Sequence, residues 1–264
     1  MRSTQKIYYS EQANREFMSV SQYKDFCKCE AMAMAKINGT YKQPESRALL
    51  LGSLFDELLT GTKKSQALFM EENKQDLFKK NGDPYADVEQ AFATAEKVKE
   101  QPLMMKYLSG QKQKIMTGKI AGVPFKIKMD VYKKNEFITD LKYMASLRSP
   151  NLFDSMVKYW GYDKQGAVYQ EVVRQNTGKR LPFFLNIGTK EAIPHLDLCE
   201  VKQYDLDEKL EEVKKYAPRF QAIKNGEIQP ERCEEYDCPY CTTTRIITEP
   251  IDSNMLGMAR KIEV

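Results

Sequence analysis

The sequence predicts an α/β fold built as one domain, and three observations carry that expectation. Apolar residues recur at helical spacing up to about Leu108. The period then becomes strand-like from Gln113 to Tyr143, and beyond it a long helical stretch precedes a short apolar run. Ser19 to Tyr23 can cap a helix running through Cys27 and Cys29 to Ile37, where Asn38-Gly39 stops it. Pro44-Glu45-Ser46 opens a second helix, Arg47 to Leu59, whose stripe is Leu50, Leu54, Phe55, Leu58 and Leu59. Residues 64–83 read as irregular, with a turn at Asn81 to Pro84, and helical spacing resumes from Ala86 to Leu108.

Three strands follow, Gln113 to Ile120, Val123 to Tyr132 and Phe137 to Tyr143. Ala121-Gly122 and Lys133 to Glu136 supply the turns of an antiparallel meander. A helix is expected from Phe153 to Gln175, ended by Asn176-Thr177-Gly178. Strands are then expected at Leu181 to Thr189 and Leu198 to Tyr204, and a last helix from Asp205 to Asn225. Residues 1–264 are thus read as a single domain. Its helical part spans 1–110, its core sheet and helix 111–204, and its last helix and cysteine-bearing tail 205–264.

Composition sets the class. Hydrophobic residues are 42% and charged residues 30% of 264, ordinary for a soluble globular protein. The formal charge of +4 does not by itself imply nucleic acid, but its distribution is uneven. Residues 106–142 hold nine lysines against three acidic residues, a setting that favours a polyanionic substrate. No secretory signal and no membrane-spanning run is read, so the expectation is a cytosolic protein of a bacterial or phage-infected cell. The six cysteines are then expected as metal ligands or buried thiols rather than disulfides.

The chemistry centres on Lys128-Met129-Asp130-Val131-Tyr132 and Phe137-Ile138-Thr139-Asp140-Leu141-Lys142. Residues i and i+2 of a strand share a face, so Asp140 and Lys142 project together. Carboxylates that hold a divalent ion beside a lysine that positions water suit metal-assisted phosphodiester hydrolysis. The bland alternative is a pair of exposed strands whose charges face water.

Four local matches decide between them. Gly52-Ser53-Leu54-Phe55-Asp56, Asp130, Asp140-Leu141-Lys142 and Gln165-Gly166-Ala167-Val168-Tyr169 stand in the order of the RecB/RecE-like branch of the PD-(D/E)XK nuclease superfamily. From about residue 19 to 241 the chain resembles the phage-type exodeoxyribonuclease VIII C-terminal-like enzymes. The resemblance implies a restriction-endonuclease-like core: a mixed central sheet with an antiparallel meander, flanked by helices. It further implies Mg²⁺ or Mn²⁺ held by Asp56, Asp130, Asp140 and the main-chain carbonyl of Leu141. Asp56 stands where related enzymes often carry histidine, and is a harder oxygen ligand. Lys142 and Gln165 would be catalytic, with Lys126, Lys128, Gln165 and Tyr169 contacting DNA. Tyr169 has an alternative place in a core-facing helix stripe.

The implied activity is 5′→3′ digestion of duplex DNA ends in phage-type recombination, with a single-strand-annealing or single-strand-binding partner and possible homo-oligomers. Two other readings stay open: a CRISPR-adaptation-like or repair nuclease acting on single-stranded ends, and a non-catalytic DNA-binding module. Cys233, Cys238 and Cys241 form a close-spaced thiolate triplet that Cys29 can complete. One early and three late cysteines resemble the iron–sulfur clasp of AddB-type nucleases, implying a [4Fe-4S] cluster; zinc is the alternative. Cys27 and Cys199 are expected to be buried thiols, and the single histidine, His195, has no expected role.

Overall fold

The structure is a computed structural model that describes residues 7–43, 46–150, 154–235, 237–248, 250 and 252–255. The chain gathers into two compact units. The first holds residues 1–44, 119–126 and 212–264, the second 45–118 and 127–211. The first holds α1 (Glu11–Glu16), α2 (Val20–Lys28) and α3 (Glu30–Ile37), and Met18, between α1 and α2, forms a bridge with Phe125. Tyr23, Phe26 and Phe220 pack there by ring contacts 5.1–5.4 Å between centroids.

The second unit carries α4 (Arg47–Thr60), α5 (Lys63–Glu72), α6 (Lys74–Leu77), α7 (Ala86–Lys99), α8 (Pro102–Tyr107), α9 (Met156–Tyr159) and α10 (Tyr162–Thr177). The strands are β1 (Gln111–Ile120), β2 (Val123–Lys133), β3 (Phe137–Met144), β4 (Phe183–Thr189) and β5 (Leu196–Val201), in sheet order β1-β2-β3-β4-β5. β2 and β3 are antiparallel, β3 and β4 parallel, β4 and β5 antiparallel. A parallel pair needs a crossover, and α9 and α10 provide it. α11 (Gln203–Lys224) follows β5, and α12 (Pro239–Thr243) lies near the end of the described chain. The mixed sheet flanked by helices is the fold class expected.

Leu51, Leu54, Phe55 and Leu58 of α4 pack with Val88, Ala91, Ala95 and Val98 of α7 onto Val131 and Leu141. Strand alternation sends Asp130, Asp140 and Lys142 to the opposite face. Gly166 of α10 lies so close to the sheet that a Cβ there would meet the Phe183 ring at 2.5 Å. The Ala121-Gly122 hairpin has the expected pair of positive φ angles, 48° and 81°.

Element boundaries differ from expectation where one residue redirects the chain. The helix expected from Ser19 to Ile37 breaks at Cys29, whose backbone is extended and whose Sγ caps α3. Residues 63–77, expected to be irregular, form α5 and α6; Thr62 and Ser65 make a capping box that starts α5. The stretch 86–108 is two helices, because Pro102 cannot continue α7 and instead opens α8. The expected helix 153–175 is divided at Gly161, which is left-handed, and its first residue, Phe153, lies outside the described residues. Among the described residues, no helix is long and apolar enough to cross a membrane.

Candidate active site

The β2–β3 ladder runs from Lys133/Phe137 to Val131/Thr139 and ends there, so the strands part at Asp130 and Asp140. The Leu141 N–H, released from the ladder, donates to Asp130 Oδ2 at 2.9 Å. That contact fixes the first carboxylate against the second strand. Asp140, 3% exposed, forms an ion pair with Lys142 on the same strand face. Gln165 of α10 donates Nε2 to Asp140 Oδ1 at 2.6 Å and accepts from Lys142 Nζ at 3.3 Å. One amide therefore orients both charged groups.

Tyr169, one turn farther, is buried, accepts from Gln165 at 3.2 Å and donates to the Lys128 carbonyl at 2.9 Å. Its hydroxyl positions Gln165 against β2. Lys142 also lies 4.6 Å from the centre of the Tyr162 ring. Asp56 joins from α4, its Oδ1 accepting from Thr60 Oγ1 at 2.9 Å. Gln113 of β1 bridges Asp56 and Asp130, donating to Oδ2 of the former at 2.8 Å and Oδ1 of the latter at 3.3 Å. Its φ of 52° is a left-handed conformation that few non-glycine residues adopt.

The electrostatics match an acidic metal-binding site. Burial pushes the Asp56 carboxyl up to about 6; the Thr60 hydrogen bond and Lys128 oppose this, whereas Glu57 and Asp140 add to it. Asp130 is held well above the ordinary carboxyl range, by burial first and then by the charges of Asp140 and Asp56. For Lys142, burial works against its charge, but Asp140, Tyr162 and Asp130 outweigh it and the net shift is upward. Three carboxylates in so small a space repel one another, and a bound cation relieves that repulsion. Oxygen donors without sulfur or imidazole suit Mg²⁺ or Mn²⁺.

A carboxyl whose folded pKa is raised stabilises the fold while protonated. That contribution is fully present below about pH 4, where the unfolded carboxyl titrates, and it is lost as pH rises through the folded value, about 6 for Asp56. In EDTA, the melting temperature is expected to fall between pH 5 and pH 8. Added Mn²⁺ should raise it more at pH 8, where the carboxylates are free to bind; equal shifts at both values would contradict this.

Expected site residues fall in different places. Asp56, Asp130, Asp140, Lys142 and Gln165 come together. Lys126, expected at DNA, is 3% exposed, donates to Asn14 and the Tyr8 carbonyl, and serves the packing of the first unit. Glu57 is held by Ser65 and supports the α4–α5 turn. Cys27, expected buried, is exposed, and Cys199 is half-buried. Cys29, Cys233, Cys238 and Cys241 are buried together in the first unit. Gln113 was not legible, since nothing in Gln111-Lys112-Gln113-Lys114 marks one glutamine over the other. Tyr162 was also missed, although a signal was there: it precedes Gln165 by three residues and shares its helix face.

Comparison with known proteins bears on the family and the fold. The family described as a PDDEXK-like domain of unknown function (DUF3799) matches residues 19–244. The chain belongs to this family. Among solved structures, one similar chain is the crystal structure of a “putative exonuclease” from Eubacterium rectale. It matches with TM-score 0.88 and 41% identity, over 98% of this chain and 100% of that one. No curated protein matches the chain.

Proposed function

We propose that this PDDEXK-like protein is a divalent-metal-dependent DNA exonuclease. The observation that carries the reading is the convergence of Asp56, Asp130, Asp140 and Lys142 where β2 and β3 part. The description of the Eubacterium rectale relative supports action at ends. The direction, 5′→3′ on duplex DNA in phage-type recombination, rests on the resemblance to RecE-like enzymes alone and is part of the proposal.

Asp56, Asp130 and Asp140, with the Leu141 carbonyl, would hold the cation. When bound, it would polarise the scissile phosphate and lower the pKa of the attacking water. The Lys142 ammonium donates hydrogen bonds to that water and to the phosphate, offsetting the charge that develops. Gln165 keeps Lys142 and Asp140 aligned, and Tyr169 keeps Gln165 in place. Gln113, an uncharged donor between Asp56 and Asp130, holds these carboxylates together until a cation replaces its N–H groups.

Duplexes labelled at the 5′ or the 3′ end, digested beside covalently closed circles, test end-dependence and polarity. Early release of the 5′ label from linear duplex, with circles intact, is expected. Rapid cleavage of closed circles would refute exonuclease action, and early release of the 3′ label would reverse the direction.

Gln165→Ala is expected to lower turnover by about 10- to 100-fold by loosening Lys142, a displacement effect rather than a lost reacting group. Gln165→Glu should not rescue it, because a carboxylate cannot donate to Asp140. Steady-state rates of the two variants check this.

A further inference from the structure

The four sulfurs of the first unit are too close together for the cluster that the cysteine pattern suggests. A [4Fe-4S] cube seats each thiolate on a different iron, which spreads the four sulfurs to roughly 6 Å apart. Ligands of one tetrahedral zinc, at a Zn–S length of about 2.3 Å, stand about 3.8 Å apart. Cys241 Sγ lies 3.7 Å from Cys29 Sγ and 3.7 Å from Cys233 Sγ. All four sulfurs lie within 4.8 Å of one another. They are far beyond the bonding distance of about 2.05 Å, so these contacts are not disulfides.

We infer that Cys29, Cys233, Cys238 and Cys241 form a structural site for one tetrahedral zinc ion, not for an iron–sulfur cluster. The local backbone is shaped for thiolates. Cys29 breaks the helical run so that its Sγ accepts the Met32 N–H at 3.5 Å. Main-chain N–H groups of Glu235, Cys241 and Glu234 reach the sulfurs of Cys233, Cys238 and Cys241. Each sulfur therefore has a main-chain donor beside it.

Glu234, itself one of these donors, adopts a left-handed φ of 54°, a conformation costly for a non-glycine residue. Metal ligation would offset that cost. The four cysteines are 2–8% exposed, beside Ala31, Met32, Tyr41 and Tyr240. Four thiolates carry two negative charges beyond one divalent ion. Arg232, paired with Glu234 through Nε at 2.6 Å, donates Nη2 to the Cys241 carbonyl at 2.9 Å and so braces this loop. The ion would join Cys29 to residues 233–241 and so contribute directly to folding.

The test is the metal content of the full chain, expressed with iron in excess over zinc and purified without oxygen or chelators. About one zinc per chain, no absorption band at about 400 nm, and loss of that zinc in Cys241→Ser are expected. Cobalt(II) replacing the zinc should give the intense visible bands of a tetrahedral thiolate site. Stoichiometric iron, or a wild-type chain with four titratable thiols and no metal at these residues, would overturn the inference. The wild-type measurement decides even if Cys241→Ser fails to fold.

Discussion

Lys142→Met is expected to lower DNA hydrolysis by about 10²–10³-fold, or about 3–4 kcal/mol of transition-state stabilisation. Its ammonium pairs with Asp140, donates to Gln165 and lies over the Tyr162 ring. Methionine keeps much of the side-chain volume and removes the charge. The metal-free protein should become less stable at pH 8, because Asp140 and Asp130 lose a compensating partner. Saturating Mn²⁺ should recover stability but not activity. Turnover measured with melting temperature in EDTA and in Mn²⁺ separates these effects. Near wild-type turnover would remove Lys142 from the proposed chemistry.

The second large effect is structural. Gly166→Val is expected to destabilise the protein by about 3 kcal/mol or more, an overpacking cost in a core that cannot yield. A Cβ at Gly166 would fall 2.5 Å from the Phe183 ring and 2.8 Å from Leu206, both fully buried. Any relief that shifts α10 outward also carries Gln165 away from Asp140. Denaturant unfolding with an activity assay at a temperature where the variant is folded checks both parts. Wild-type stability would show that α10 can retreat from β4 at little cost.

Much of this arrangement was legible because it rests on local periodicity. The switch to period two located β1 to β3, and alternation along Phe137 to Met144 put Asp140 beside Lys142. Divisions of helices were less legible. Gly161 and Pro102 are visible breakers, but Cys29 has helix-compatible chemistry, and the cysteine its sulfur meets, Cys241, is 212 residues away. The capping box at Thr62 is a local signal that apolar spacing alone overlooks. Lys126 shows the limit of charge counting. A lysine in a basic stretch resembles a phosphate contact until its ammonium is found on Asn14 and the Tyr8 carbonyl. Gln113 depends on a left-handed backbone and on contacts with residues 17 and 57 positions away, which no short pattern encodes.

On the proposed function, the carboxylates at the parted strands hydrolyse DNA with a divalent cation. Release of acid-soluble nucleotide from linear duplex by the wild-type chain and by Asp140→Asn, each with Mg²⁺ and with EDTA, tests it most directly. Release by the wild type in Mg²⁺ alone, with Asp140→Asn folded and inactive, is the predicted result. Equal release by Asp140→Asn, or release that persists in EDTA, would contradict it.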